Sequence, residues 1–203
     1  DNHVLGGGQA GPALRTKRSI MSNGLQANSI QTYSQTVMSF TIGDSRVPRV
    51  DTVDVASYQN GMTQANYNSL RASGVKAVIV KSSEGSTYRN PYAAKQLAQA
   101  KAAGLKTAVY HYVHFANQSD AIAEANYFAN TLDSLGFSKT SPVVADIEDS
   151  DVGGDVAANV NAFWNVLSTR GYVNHIVYTG LYYSYSKAAI STVGNERAWV
   201  AQY

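Results

Sequence analysis

Short apolar runs and longer amphipathic stretches alternate along the chain after Pro48. The apolar runs have the length of buried strands, and they predict strands at residues 53–58, 77–81, 107–113, 143–148, 176–179 and 198–202. Strands that alternate with helices pair in parallel through right-handed crossovers. The pattern therefore predicts an α/β fold, either an open doubly wound sheet or most of a (β/α) barrel.

The stretches between these runs have the periodicity of helices that pack on a sheet. Apolar side chains in residues 122–135 and 156–167 recur three or four positions apart, so we expect Trp164 to be a core residue. Asn90 and Pro91 predict the start of a further helix, as its N-cap and first residue. Four helices would end at a glycine in the left-handed conformation, namely Gly74, Gly104, Gly136 and Gly171.

Residues 1–48 differ from the rest of the chain. About half of positions 19–43 are Ser, Thr, Asn or Gln, and no helical or strand period is sustained. We therefore predict a low-complexity or disordered arm or linker over residues 1–48 and a folded domain over 49–203. Arg15, Lys17 and Arg18 are either an anchor for an anionic polymer, a processing site, or part of a solvated tail; so few charges favour the tail.

Composition excludes several classes of protein. The chain has 203 residues and no cysteine, which excludes disulfides and cysteine zinc sites. The longest aliphatic run, residues 77–80, is far shorter than the roughly 18 to 20 apolar residues of a membrane-spanning helix. The 14 tyrosines are numerous, and such flat rings with polar tips suit hydrated, ring-shaped ligands.

Carboxylates and aromatic rings follow the predicted strands. Both candidate architectures place functional residues at the carboxyl ends of the strands. The residues found there are Asp54, Glu84, His111, Tyr112, Asp146, Glu148, Tyr178, Trp199 and Tyr203. No glycine-rich phosphate loop follows the first strand, which argues against nucleotide binding.

Asp146 and Glu148 are the strongest candidates for chemistry. Residues two apart in a strand point to the same face, about 6 to 7 Å apart along the chain. Val144, Asp146 and Glu148 would thus share one face, the inner one in a barrel. Two close carboxylates do not both ionise easily, so one is expected to keep a proton and act as an acid. Cleavage of a glycosidic bond needs such a pair.

Other interpretations of the polar residues stay open. Asp149, Asp151 and Asp155 fit a solvated loop in which one of them caps the next helix. A calcium loop is a weaker alternative, because the EF-hand spacing is absent. His111 and His114 would point to opposite faces of a strand, which argues against a zinc site, and no Gly-x-Ser-x-Gly elbow is present.

Several separated motifs resemble the signature of glycoside hydrolase family 25, the Chalaropsis-type lysozymes. The first two are Asp-Val-Ala-Ser-Tyr-Gln at 54–59 and Ile-Val-Lys-Ser-Ser-Glu-Gly-Ser-Thr-Tyr-Arg-Asn at 79–90. Tyr-His-Tyr at 110–112, Asp-Ile-Glu at 146–148 and Trp-Val-Ala-Gln-Tyr at 199–203 follow in the family's order. The resemblance covers residues 51–203.

This resemblance implies an irregular (β/α) TIM-like barrel that hydrolyses the β-1,4 bond between N-acetylmuramic acid and N-acetylglucosamine in peptidoglycan. Glu148 would be the general acid/base, Asp146 would assist the 2-acetamido group of the substrate, and Asp54 would tune the charge of the pocket. The implied substrate contacts, each with a packing role as its alternative, are Glu84, Tyr112, Tyr178, Trp199 and Tyr203.

The resemblance also implies partners and a location. We expect a monomer that binds peptidoglycan glycan strands, outside the cell or at the cell wall, secreted or released as a phage endolysin. We expect no metal or other cofactor and no nucleic-acid or membrane partner. Two alternatives stay open: a non-catalytic wall-binding module of the same fold, and a chitinase-like barrel glycosidase.

Family members continue past the motif at 199–203 into a further acidic residue and the last strand of the barrel. We therefore expect the 203-residue chain to be a piece of a longer reading frame, with the edges beside the missing strand left unpaired.

We expect this chain to lyse cells weakly or not at all, because the missing strand would leave both the barrel and its acidic site incomplete. The loss of turbidity of a Gram-positive cell suspension measures this directly. Lysis at the full rate of a family member would contradict the prediction.

Overall fold

The computed structural model describes residues 15–21, 26–30 and 52–201, in which one curled sheet is flanked by helices. The strands are β1 Arg15–Met21, β2 Gln26–Ile30, β3 Thr52–Val55, β4 Ala77–Glu84, β5 Tyr88–Arg89, β6 Lys106–Tyr112, β7 Val143–Ile147, β8 His175–Gly180 and β9 Ala198–Ala201. The helices are α1 Gln64–Ala72, α2 Ala93–Ala102, α3 Gln118–Ser134, α4 Val156–Thr169 and α5 Ser186–Ser191.

Six strands pair in parallel in the order β3, β4, β6, β7, β8, β9, which confirms the predicted α/β alternation. All six predicted strands form, with different ends. β3 stops at Val55, and residues 57–59 form a 3₁₀ turn, whereas β4 continues three residues past Lys81.

The pleat of the sheet separates two apolar regions. The outward side chains of the strands, such as Val80, Val109 and Ile147, pack with the helices in one large core. Trp164 on α4 is 3% exposed in that core, as predicted. The inward side chains form a small second cluster, made of Ile79, Ala108, Tyr110, Val144 and Tyr178. Within the curled sheet, apolar side chains thus fill the part nearer the amino ends of the strands, and polar side chains lie towards their carboxyl ends.

The helix ends follow the predicted glycines. Gly74, Gly104, Gly136 and Gly171 all have positive φ, between 64° and 98°. The predicted start of α2 is wrong, because the helix begins at Ala93 rather than Pro91. Asn90 instead links the neighbouring segments through its side chain. Its amide nitrogen donates to Lys81 O and Gln96 Oε1, and its amide oxygen accepts from the Tyr92 backbone N–H.

Two strands lie in the segment for which the pattern predicted none. β1 pairs antiparallel with β2, with β3 and with β9, and so bonds to both outer strands of the parallel sheet. The expectation of unpaired edges was therefore wrong. Edge strands expose backbone donors and acceptors that any extended segment can satisfy, whatever its side-chain pattern. The domain boundary near residue 48 stays a prediction.

Among the described helices, none combines the length and the apolar composition needed to cross a membrane. The longest, α3, has 17 residues and buries only one face.

Gly154, in the loop between β7 and α4, is the tightest glycine in the part of the chain described. It has φ +65°, and a Cβ there would collide with the carbonyl oxygen of Ala116. Gly136 has nearly the same φ, +64°, but no atom lies within 4 Å of its would-be Cβ. The two glycines thus differ in crowding rather than in backbone conformation.

We expect Gly136→Ala to lower the free energy of unfolding by about 1 to 2 kcal/mol, the cost of the left-handed conformation. Gly154→Ala should cost about 1 to 3 kcal/mol more, because the backbone must also move to relieve the overlap. Urea denaturation of both variants measures the difference. Equal losses would show that the loop accommodates the methyl group.

Candidate active site

Five of the predicted site residues lie in cross-strand register. Glu84 on β4 pairs with Tyr112 on β6, Tyr112 with Asp146 on β7, Asp146 with Tyr178 on β8, and Tyr178 with Trp199 on β9. Paired residues of neighbouring parallel strands point to the same side, and here that is the inner side. The sheet therefore collects these five side chains in one row at its carboxyl edge.

Three predicted catalytic carboxylates are buried at the inner face. Asp146 is 0% exposed and Glu148 and Asp54 are each 4% exposed. Val144 lies in the inner cluster, so the predicted shared face of Val144, Asp146 and Glu148 agrees with the pleat. Asp54 pairs in register with Ile79, a member of the same cluster, which places it on the same side of the sheet.

A β-bulge in β4 turns Glu84 to the inner face, where it meets Lys81. The register between β4 and β6 shifts between Lys81 and Ser83, so Ser82 is the extra residue. Lys81 and Glu84 consequently share the inner face and form an ion pair. The Lys81 ammonium, 2% exposed, also lies 5.3 Å from the ring centroids of Tyr88 and Tyr112.

Glu84 is held ionised by its neighbours. Burial raises its pKa, but hydrogen bonding to His114 and the charge of Lys81 outweigh this, and the pKa lies below its ordinary value. Glu84 is thus a charged partner of both Lys81 and His114. It lines a cleft of about 450 Å³ together with Ser57, Tyr58, Lys81, Thr87, Tyr88 and His114.

Tyr112 is buried and bonded rather than free to stack on a ligand. It is 4% exposed, and its hydroxyl donates to Asp149 Oδ2 at 2.8 Å. Burial and the nearby carboxylates of Asp146 and Asp149 raise its pKa far above the ordinary value. The hydroxyl therefore keeps its proton and serves as a fixed donor beside Asp146.

The predicted aromatic contacts differ in access. Tyr178 is 1% exposed in the inner cluster, and the half-buried Trp199 packs against the same cluster. Tyr203 lies outside the described residues. As substrate contacts, all three stay predictions.

Exposed rings follow β8 in a loop that we did not single out from the sequence. Tyr182 is 78% exposed and Tyr183 is 36% exposed. The ring of Tyr183 stacks on that of Tyr185 with 5.3 Å between centroids. Burial, followed by the charges of Glu148 and Asp146, raises the pKa of Tyr183 to about 12. Five successive residues, 181–185, include three tyrosines, and this density was a readable signal.

His114 and its carboxylate neighbours form the most highly charged group at the mouth. One ligand atom from each of His114, Asp149 and Asp151 lies within 4.8 Å of the others, a spacing that a metal ion could bridge. Hydrogen bonds to Glu84 and other carboxylates, however, raise the pKa of His114 to about 9. An imidazolium has no lone pair to offer a metal, so the described residues favour an ion-paired histidine.

A second buried network lies behind the row. Ser83 Oγ is 2.8 Å from His111 Nδ1, and His111 Nε2 is 2.8 Å from Glu124 Oε1 on α3. Burial lowers the pKa of His111, which is 0% exposed and stacks on Phe128. This serine, histidine and glutamate resemble a hydrolytic triad in order only, because all three are buried on the outer side of the sheet.

Comparisons with known proteins point to one family. The family profile described as Glycosyl hydrolases family 25 matches residues 53–203. The autolytic lysozyme of Clostridium acetobutylicum is 30% identical over 145 residues, which cover 71% of this chain and 43% of that protein. The lysozyme of Streptococcus phage Cp-7 is 29% identical over 163 residues, covering 74% and 42%. The chain thus spans less than half the length of these curated relatives.

Solved structures share the fold. The catalytic domain of endolysin ply40 from bacteriophage P40 of Listeria monocytogenes aligns with a TM-score of 0.55 and 22% identity, over 64% of this chain and 62% of that chain. The CTP1L endolysin aligns with a TM-score of 0.55 and 29% identity, over 66% of this chain and 45% of that chain. The autolysin LytC from Streptococcus pneumoniae aligns with a TM-score of 0.58 at 19% identity, over 69% and 34%.

Glu124 is the buried anchor of this edge, since its carboxylate accepts from the ring of His111 and from the backbone N–H of His114. We expect Glu124→Ala to lower the free energy of unfolding by about 2 to 4 kcal/mol, because it leaves two buried donors without an acceptor. Thermal and urea denaturation test this. Glu196→Ala removes an exposed carboxylate and should change stability by less than about 0.5 kcal/mol. A similar small effect for both would contradict the anchoring role.

Proposed function

This chain belongs to glycosyl hydrolases family 25, and on that premise we propose that it hydrolyses the β-1,4 bond between N-acetylmuramic acid and N-acetylglucosamine in peptidoglycan. The observation that carries the proposal is the placement of Asp146 and Glu148 two residues apart at the carboxyl end of β7, both buried on the inner face. A pair of carboxylates on one face is the arrangement that glycosidic bond cleavage requires.

Glu148 acts as the general acid and then the general base in this proposal. It gives its proton to the glycosidic oxygen as the bond from that oxygen to C1 breaks. The carbonyl oxygen of the 2-acetamido group attacks C1 and forms a cyclic intermediate. Water then attacks C1 on the face that the leaving group vacated, the bond from the acetamido oxygen to C1 breaks, and Glu148 takes the proton of that water. The acetamido group is regenerated and the configuration at C1 is retained.

Asp146 and Asp54 supply charge rather than a proton. Asp146, buried in register beside Tyr112, orients the acetamido N–H and stabilises the positive charge that develops on the ring. Asp54 adds a further buried carboxylate on the same inner face. Lys81 and Glu84, which both line the cleft, form an ion pair, and this limits the excess of negative charge there.

The sugar rings are proposed to bind across the carboxyl edge of the sheet. Tyr182 and Tyr183 offer exposed rings in the loop after β8, and Glu84 lines the open cleft. Tyr112, Tyr178 and Trp199 form the floor of this edge in the structure, so contacts with substrate from these residues would be to ring edges or hydroxyls. Stacking on tyrosine faces suits hydrated sugar rings.

The architecture that we propose is an irregular (β/α) barrel. Six parallel strands with helices on their outer side, and functional residues at their carboxyl ends, are the features of that fold. The peptidoglycan partner implies action outside the cell or at the cell wall. The relatives named as an autolytic lysozyme and a phage lysozyme support this location.

Replacing one carboxylate by its amide separates an enzyme from a wall-binding module. We expect Glu148→Gln to lower the release of reducing ends from purified peptidoglycan by at least about 100-fold, because the amide cannot donate or accept the proton. Binding to sedimented cell walls should stay unchanged, since the side chain keeps its size. Reducing-end release also detects slow turnover that a turbidity assay misses.

Asp155→Asn is the matched control, a change from carboxylate to amide seven residues further along. Asp155 is exposed and caps α4 by accepting from the Ala158 backbone N–H, a role that asparagine also fills. It should keep full activity. Wall binding without turnover in the unaltered chain would favour the non-catalytic module, and turnover of chitin oligomers without peptidoglycan would favour the chitinase-like alternative.

A further inference from the structure

His114 bridges two elements at the mouth of the site. Its Nε2 lies 2.8 Å from Glu84 Oε1, at the end of β4. Its Nδ1 lies 3.0 Å from Asp151 Oδ2 and 3.5 Å from Asp149 Oδ1, in the loop that follows β7. One ring thus joins the cleft carboxylate to the segment directly after Glu148.

The backbone of His114 is held by Glu124 of α3, which limits where its ring can lie. The backbone N–H of His114 donates to both oxygens of Glu124, at 3.2 and 3.3 Å. Glu124 is 4% exposed and is itself held by His111. The ring of His114 also meets that of Tyr112 edge to face, with 5.2 Å between centroids. Backbone and side chain are therefore both constrained.

Both ring nitrogens face carboxylate oxygens, which only a protonated imidazole can satisfy by donating twice. The charged and titratable groups around it are Glu84 and Lys81 of β4, Tyr112 of β6, Asp149 and Asp151 of the loop after β7, and Glu124 of α3. The hydrogen bond to Glu84 raises the pKa of His114 to about 9, although burial opposes it. The charge is therefore present at neutral pH and lost as the pH rises through 9.

The loop held by His114 sets the direction of Glu148. Asp149 follows Glu148 directly, and its carboxylate accepts from Tyr112 Oη and from the Asp151 backbone N–H. The Tyr185 hydroxyl donates to the Asp149 carbonyl oxygen. These bonds from uncharged donors orient residue 149, and the imidazolium balances the negative charge that this residue brings beside the buried carboxylates.

We propose that His114 is a positioning residue of the reaction: its protonated ring fastens residues 149–151 to Glu84 and thereby holds Glu148 in its working orientation. The expected effect on the reaction rate rests on the proposed function, whereas the bridge from Glu84 through His114 to residues 149–151 does not. This role requires no contact between His114 and the substrate. A misplacement of about 1 Å in a reacting or catalytic group can slow a reaction by up to about 100-fold.

The kinetic test compares two replacements at this position. His114→Gln keeps two hydrogen-bonding atoms but not the charge, and we expect kcat to fall about tenfold at pH 7 while KM changes less than about twofold. The unaltered chain should lose activity as the pH rises through about 9, and the glutamine variant should lack that step. His114→Arg, which keeps charge and several donors, should restore most of kcat and move the step upwards by at least about 1 pH unit.

His175→Gln is the matched control. His175 is half-buried at the amino end of β8, opposite the site, and bonds to the Tyr172 carbonyl oxygen. It should keep the kcat and the alkaline step of the unaltered chain. A glutamine variant at 114 with kcat within twofold of the unaltered chain and the same pH profile would overturn the proposal.

A second measurement does not depend on turnover. Nuclear magnetic resonance of the imidazole carbons, assigned by the signals missing from His114→Gln, should show His114 titrating at about pH 9. Titration at or below the ordinary value near 6.5 would overturn the bridge, as would displacement of its proton by Zn²⁺ or Ca²⁺ at pH 7. If the unaltered chain turns over no peptidoglycan but His114 titrates near 9, the proposed function fails while the bridge stands.

Discussion

A single extra residue in β4 decides which charges meet inside the curled sheet. In a regular strand, Lys81 and Glu84 would point to opposite faces because they are three residues apart. The bulge at Ser82 shifts the register by one, so both face inwards and pair. An unpaired buried lysine would cost several kcal/mol, and unpaired inward carboxylates would repel one another. The acidic row of the site therefore depends on this local irregularity.

The same alternation divides β6 into a structural face and a functional face. His111 points outwards, where burial keeps it neutral and it binds Glu124 between the sheet and α3. Tyr112 points inwards and reaches Asp149. His114, two residues beyond Tyr112, reaches the mouth, where it is charged. Two histidines three residues apart thus differ in protonation, because burial disfavours the charged form of His111 whereas three carboxylates stabilise that of His114.

Much of the fold and part of the site could be predicted from the sequence. Period-two patterning gave the inward direction of Asp146 and Glu148, and helical periodicity gave the buried Trp164, since both follow from local geometry. The bulge could not be predicted, because Ser82 has no pattern that separates it from a regular strand residue. The pairing of β1 was missed for a related reason: it uses backbone atoms, which polar side chains do not reveal.

The tyrosines show how burial reassigns a residue that sequence position alone selects. Tyr178 stands at a strand end, but its strand neighbours Val144 and Ile176 make the inner face apolar there, and the ring completes that small cluster. Stacking on a ligand, as proposed for sugar rings, needs an exposed aromatic face, and residues of a loop can provide one. The segment after β8 meets this condition, because Tyr182 and Tyr183 are exposed while Tyr185 bonds back to Asp149. The end of β8 thus separates the tyrosine that is buried in the sheet from those that are exposed in the loop.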